Sequence, residues 1–195
     1  VYKRQVIGQI AFESGSGGSG SVLIGKQAGT SQTGELIVGI SREAARVNTA
    51  DYHISIGYQS GYSQTSGTAN TNIGYQAGYS HTSGLSNTNV GYQAGMDNTT
   101  GTGRTCIGHS AGKDNTRGYN TFVCHSAGKF PGTGQFNVGI GSNCLAFGAY
   151  GNFNIAIGHQ AAQSTTGANN VFIGYESGKA KTSGNDNTTL VYRAL

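Results

Sequence analysis

Branched aliphatic residues recur along this chain at a nearly constant interval, and each is usually followed by a glycine. The sequence "NTNIGYQAG" occupies residues 70–78 and "NTNVGYQAG" residues 87–95, which places the two glycine anchors 17 residues apart. A fixed short period over a whole chain predicts a solenoid with one coil per unit. The twelve anchors are Gly8, Gly25, Gly39, Gly57, Gly74, Gly91, Gly108, Cys124, Gly141, Gly158, Gly174 and Val191.

Several columns of like residues accompany the anchors. The residue before the anchor is a branched aliphatic in all twelve units, Val38 in the third, and the residue after it is often Tyr or His. Columns two apart lie on the same face of a strand, so we expect the aliphatic column to be buried and the Asn, Gly and Gln positions opposite to meet water or another close backbone. The predicted structural ladder comprises Ile56, Ile73, Val90, Ile107, Val123, Ile140, Ile157, Ile173, Tyr58, Tyr75 and Tyr92.

The rest of each unit has the composition of turns. Thr-Ser or Thr-Thr pairs precede a second glycine in many units, as at Gly67 and Gly84, and such residues favour corners. The predicted fold is therefore all-β, a parallel β-solenoid of about twelve 17-residue coils. Residues 1–20 are expected to form an irregular linker with the first coil, and residues 21–195 the repeat domain, with an irregular unit at 39–53. The opening "VYKRQ" resembles a translated adaptor, so residues 1–5 are expected to be non-native, and the chain to be a fragment.

The thin predicted core favours self-association. Each coil would bury one aliphatic side chain, one small residue and part of a ring, which is little against the conformational entropy of the chain. Three parallel chains around one axis would also cover the second face of each strand. We therefore predict a homotrimer.

Composition excludes several other classes. Charged residues make up 10% of the chain, and the net charge of +4 comes from scattered Lys and Arg, unlike the clustered charge of a nucleic-acid footprint. No apolar stretch approaches the ~20 residues of a membrane span, so no membrane insertion is expected. Cys106, Cys124 and Cys144 match no zinc or disulfide spacing and are expected to be free, half-buried thiols. No cofactor is expected.

A few residues could carry chemistry. His109, His125 and His159 occupy the Tyr column, as ladder residues or as weak metal candidates; alternation should put Cys124 and His125 on opposite faces. Glu35, Glu43 and Asp51 lie in the irregular unit, where a polysaccharide-processing site would have to be inserted. The tyrosine ladder could stack sugars. Thr71, Thr88, Thr105 and Thr121 suggest ice binding, but Val138, Ile155 and Val171 interrupt their column.

The unit "NTNIGYQAGYSHTSGLS" (70–86) resembles the repeats of phage tail-fibre-like proteins, and "NIAIGHQAAQS" (154–164) resembles the coils of trimeric autotransporter adhesin heads. The resemblance covers about residues 6–195, although the coil length differs from that of the adhesin heads. It implies a trimeric, non-catalytic shaft or receptor-binding segment of a tail fibre in a virion, which would meet a host cell-surface glycan or protein. The alternatives are a bacterial surface adhesin stalk or head, located at the cell surface, and an ice- or glycan-binding solenoid.

Overall fold

The computed structural model describes residues 5–9, 19–180, 183–190 and 192. Its described residues contain twelve three-residue strands, which form one parallel sheet in chain order. The strands are β1 (Gln5–Ile7), β2 (Val22–Ile24), β3 (Val38–Ile40), β4 (Ile54–Ile56), β5 (Thr71–Ile73), β6 (Thr88–Val90), β7 (Thr105–Ile107), β8 (Thr121–Val123), β9 (Val138–Ile140), β10 (Ile155–Ile157), β11 (Val171–Ile173) and β12 (Thr188–Leu190). This confirms the predicted parallel solenoid. The anchor Val191 and most of residues 1–20 lie outside the described part.

The strand register corrects the third unit of the repeat. Ile40, not Val38, pairs with Ile24 and with Ile56, so the third anchor is Ser41 and the prediction of Gly39 was wrong. With this change the strands begin 16 or 17 residues apart throughout. Residues 39–53 therefore belong to a coil of ordinary length.

The structure reverses the predicted inside and outside of the strands. The middle residue of each strand from β2 to β11 is buried, whereas Ile73 is half-buried and Ile107 is 39% exposed. The prediction that the Ile column fills the core was therefore wrong, and the Asn side chains of the opposite face lie inside rather than against water. The small residue three after the anchor does lie inside, because the chain turns after the strand. The buried residues of this column are Ala28, Ala44, Ser60, Ala77, Ala94, Ala111, Ala127, Cys144, Ala161 and Ser177.

The core changes character along the solenoid. An apolar cluster around Leu23 and Ile37 lies near one end, and a second around Phe122, Leu145 and Phe172 lies toward the other. Between them the coils enclose polar side chains, all of them buried. These are His53, Gln64, Asn70, Asn72, His81, Asn87, Asn89, Asn98 and Arg104.

An asparagine ladder joins coils from β5 to β12 at the residue before the strand, with an interruption at Arg104 before β7. The Oδ1 atom of Asn137 accepts the backbone N–H of Asn154 at 2.8 Å, and Asn137 in turn donates its own backbone N–H to Asn120 Oδ1 at 2.8 Å. The same bond links Asn70 to Asn87 at 2.8 Å. Because coil upon coil repeats it, the ladder satisfies buried backbone groups that the short strands leave unpaired.

Glycines at the second corner allow the coils to stack closely. A Cβ added to Gly67 would lie 1.9 Å from the carbonyl oxygen of Gly84, and one added to Gly134 would lie 1.8 Å from that of Gly151. No side chain fits at such distances. Gly67 and Gly134 are therefore required by the approach of the neighbouring coil.

Candidate functional site

The outer face of the sheet is a long and regular surface. It consists of the first and third residues of each strand from β2 to β12, which project away from the core. All of these positions are Val, Ile, Leu or Thr, and none carries a charge. The sheet has twelve strands, so at about 4.8 Å per strand this outer face is roughly 50 Å long. This face is uncharged and largely apolar, interrupted by Thr hydroxyls, and its size makes it a candidate interaction site.

A column of stacked rings borders the outer face after the strands. We call it the post-strand column; it contains the residue two positions after each strand. Tyr75 stacks on Tyr58 at 5.3 Å and on Tyr92 at 5.1 Å between ring centroids, and His109 and His125 continue the stack at 4.8 and 5.0 Å. Because the rings cover one another's faces, Tyr75 and Tyr92 offer mainly edges to solvent. A sugar that stacks needs a ring face, so the geometry disfavours the sugar-stacking interpretation.

The third predicted histidine stands apart from the other two. Ser142 occupies the post-strand column between His125 and His159, while His159 stacks on Tyr175 at 5.3 Å. Within the described residues, no group of three or more His, Cys, Asp and Glu side chains is placed to hold a metal ion. Cys124 and His125 are both exposed, so the prediction of opposite faces was wrong.

A second aromatic column borders the outer face before the strands. We call it the pre-strand column; it contains the residue two positions before each strand. Tyr119, Phe136 and Phe153 stack there at 5.1 and 5.2 Å with nearly parallel rings, and all three are exposed. This column was not predicted from the sequence, although an aromatic residue precedes "NT", "NV" and "NI" at regular spacing in these three coils.

A ladder of glutamine amides runs beside the post-strand column. Gln93 donates to Gln76 at 3.1 Å, Gln76 to Gln59 at 3.0 Å, and Gln59 to Glu43 at 2.7 Å. The hydrogen bond from Gln59 lowers the pKa of Glu43; desolvation opposes it, and Arg42, 3.2 Å away, lowers the pKa further. Glu43 is thus held as a carboxylate that ends the ladder.

The other two acids of the same region, Glu35 and Asp51, are hydrogen-bonded to each other. Asp51 accepts the backbone N–H of Glu35 through Oδ1 at 2.8 Å, which fixes a corner between adjacent coils. Glu43 instead faces Gln59 and Arg42. The structure therefore gives Glu43 and Asp51 separate structural partners.

The polar core holds ionisable groups that sequence reasoning did not identify. Burial lowers the pKa of both His53 and His81 to about 4, and the nearby Arg104 adds to the effect on His81. Cys106 and Cys144 are buried free thiols, and burial raises the pKa of each. These groups are enclosed by the coils, so they act on stability rather than on a ligand at the surface.

The described residues contain no helix that is long and apolar enough to cross a membrane. Comparison with known proteins supplies no relative from which a function could be transferred. No protein-family model, no curated protein and no solved structure matches this chain.

Proposed function

We propose that this chain is a non-catalytic structural segment that assembles with copies of itself into a stiff parallel homotrimer and holds a host-binding tip away from its base. The observation that carries the proposal is the uncharged outer face of the twelve-strand sheet. Its two columns of β-branched residues repeat coil after coil, with Ile107 and Ile140 among the exposed ones. Covering such a face removes apolar surface from water along the whole length of the sheet.

The physical reason for self-association therefore differs from the one that the sequence suggested. One chain encloses its own core, which is largely polar in the middle coils. The aliphatic side chains that would normally stabilise a domain lie outside it instead. Association through the outer face brings them into a common core, and cyclic symmetry repeats the contact for every copy.

The repeats at 70–86 and 154–164 support a place for this segment in a phage tail fibre or, as the alternative, in a bacterial surface adhesin. Both need a straight, rigid spacer that presents a tip to a cell-surface glycan or protein. A tail fibre would place the segment in a virion, and an adhesin would place it at the cell surface. The domains that flank the repeats in the complete reading frame would separate the two.

The test is the mass of the purified chain in solution. The chain has a mass of 20.0 kDa, so light scattering after size-exclusion chromatography should give about 60 kDa for a trimer. Chemical cross-linking should stop at the three-chain species. A folded, cooperative monomer at micromolar concentration would contradict the proposal.

Ice binding is a second candidate because of one feature of the same face. Thr71, Thr88, Thr105 and Thr121 lie in register on adjacent strands and are directed outward beside the Ile column. Regularly spaced hydroxyl and methyl groups on a flat sheet are suited to ordering water. Thermal hysteresis of a monomeric sample would favour this function, whereas a trimer that buries these residues would contradict it.

A further inference from the structure

The pre-strand and post-strand columns carry their bulky rings in different coils. From β2 to β12, only the coil of β4 has Tyr or Phe in both columns, as Tyr52 and Tyr58. Seven coils have Tyr or Phe in one column alone: the post-strand column at β5, β6, β11 and β12, and the pre-strand column at β8, β9 and β10. In five of these seven coils the other column holds a residue without a ring, and in the coils of β8 and β10 it holds a histidine.

The balance is clearest where each stack is interrupted. Ser142, which breaks the post-strand stack between His125 and His159, is level with Phe136, the middle ring of the pre-strand stack. Conversely, Ala69 and Ser86 are level with the stacked Tyr75 and Tyr92. In the coils of β5, β6 and β9 a small residue therefore stands level with a stacked ring at the opposite edge, whereas the coils of β4, β8 and β10 carry a ring at both edges.

Packing within one chain does not explain this balance. The two columns lie at opposite ends of the same strand, and three extended residues alone span roughly 10 Å. The ring contacts of each column run along the solenoid, from Tyr75 to Tyr92 and from Phe136 to Phe153.

In a cyclic assembly the two columns can come into contact between neighbouring copies. A rotation about an axis parallel to the solenoid moves no residue along that axis, so each coil meets the same coil of the next copy. The same rotation brings the post-strand edge of one copy against the pre-strand edge of its neighbour. The two columns of one sequence are then the two sides of one interface.

We propose that copies of this chain associate in parallel and in register, with the post-strand column of one copy seated against the pre-strand column of the next. Tyr75 and Tyr92 of one copy fill the space beside Ala69 and Ser86 of its neighbour, and Phe136 fills the space beside Ser142. The inference rests on the proposed self-association through the outer face, and it adds which edges meet and at what height.

Disulfide trapping tests the register directly. In a Cys124→Gly background, which removes the exposed thiol and leaves the buried Cys106 and Cys144, Ser86→Cys is combined with Tyr92→Cys at the level of β6. Because the strand holds these two sites apart beyond the reach of a disulfide, about 7 Å between Cα atoms, any bridge joins different copies. The matched control combines Ser86→Cys with Tyr58→Cys, two coils and about 10 Å out of register.

The expected result is covalent multimers on a non-reducing gel for the level pair and none for the offset pair. Multimers by light scattering without the level cross-link, or with the offset cross-link alone, would overturn the proposed edge contact and leave self-association intact. A monomeric parent chain would contradict both the edge contact and the proposed self-association.

A size exchange gives an independent readout. Ser142→Tyr joins His125 to His159 in one continuous stack, so the isolated chain should melt no lower than the parent. In the assembly the new ring meets Phe136 of the next copy, and association should weaken by about tenfold or more. Adding Phe136→Ala should restore it. Association of Ser142→Tyr as tight as that of the parent, or no recovery in the double variant, would overturn the proposal.

Discussion

The backbone N–H of Arg104 donates to Oδ1 of Asn87 at 3.0 Å, the bond by which each asparagine of the ladder holds the next coil. Arginine has no side-chain acceptor, so it cannot repeat that bond to the following coil. Its side chain enters the core instead, where it is 1% exposed and where Nη2 donates to the carbonyl oxygen of Gly112 at 2.9 Å and to Cys106 Sγ at 3.3 Å. The Nε and Nη1 atoms have no protein partner.

Replacing this arginine should stabilise the fold. Arg104→Asn restores the ladder residue and removes a buried guanidinium whose N–H groups are partly unsatisfied, which should raise the free energy of unfolding by about 1–3 kcal/mol. Denaturant unfolding measures the change. The matched control is Arg117→Asn, at an exposed position, which should stay within about 0.5 kcal/mol. A loss of stability in Arg104→Asn would mean that the volume of the arginine matters more than its charge.

Interrupting the asparagine ladder should destabilise the fold. Asn137→Ala removes the acceptor for the backbone N–H of Asn154, which is then buried and unpaired, and one of the two donors to Asn120 Oδ1. The expected cost is about 2–3 kcal/mol in the free energy of unfolding. Thr100→Ala, at an exposed corner, should cost no more than about 0.5 kcal/mol. Equal costs for the two variants would contradict the role of the ladder.

Acid should weaken the fold through the buried histidines. The folded pKa of His53 and of His81 is about 4, against an ordinary value of 6.5. The unfolded chain therefore binds more protons between these values, and the stability contributed by the neutral rings is lost as pH falls from about 6.5 toward 4. At full effect this amounts to roughly 3 kcal/mol for each histidine.

Melting temperatures measured between pH 7 and pH 4 check this dependence. The double variant His53→Asn and His81→Asn places in each column the residue that the neighbouring coils carry, Asn70 and Asn98. It should flatten the pH dependence of the melting temperature. An unchanged slope in the double variant would assign the acid sensitivity to other groups.

The two faces of the strands should respond differently to substitution. Phe122 is fully buried, so Phe122→Ala should cost about 3–5 kcal/mol in the free energy of unfolding. Ile107→Asp lies on the outer face and should leave the fold of one chain nearly unchanged while reducing the mass in solution to that of a monomer. Thermal unfolding at low concentration separates the effect on folding from the effect on assembly. A large loss of stability in monomeric Ile107→Asp would indicate that Ile107 is buried within one chain and would contradict its place on the outer face.

The sequence by itself determined the period, the positions of the strands other than β3, and the parallel solenoid, because a residue type that recurs every 16 or 17 positions must fall in the same place of each coil. It also placed Tyr58, Tyr75 and Tyr92 in one column, and the rings of that column stack. Only the tertiary structure decided which anchor the third unit uses. Val38 and Ile40 flank Gly39 symmetrically, and strand pairing alone selects Ile40.

The side of the strand that faces inward was also decided by the tertiary structure. Alternation separates two faces but does not say which is buried, and polarity suggested the wrong one. A stack of similar coils places one asparagine directly beside the next, so that the Nδ2 of Asn87 donates to Oδ1 of Asn70 at 3.0 Å. The interior can therefore be polar, and the aliphatic face, with Ile107 among its exposed residues, is left on the outside.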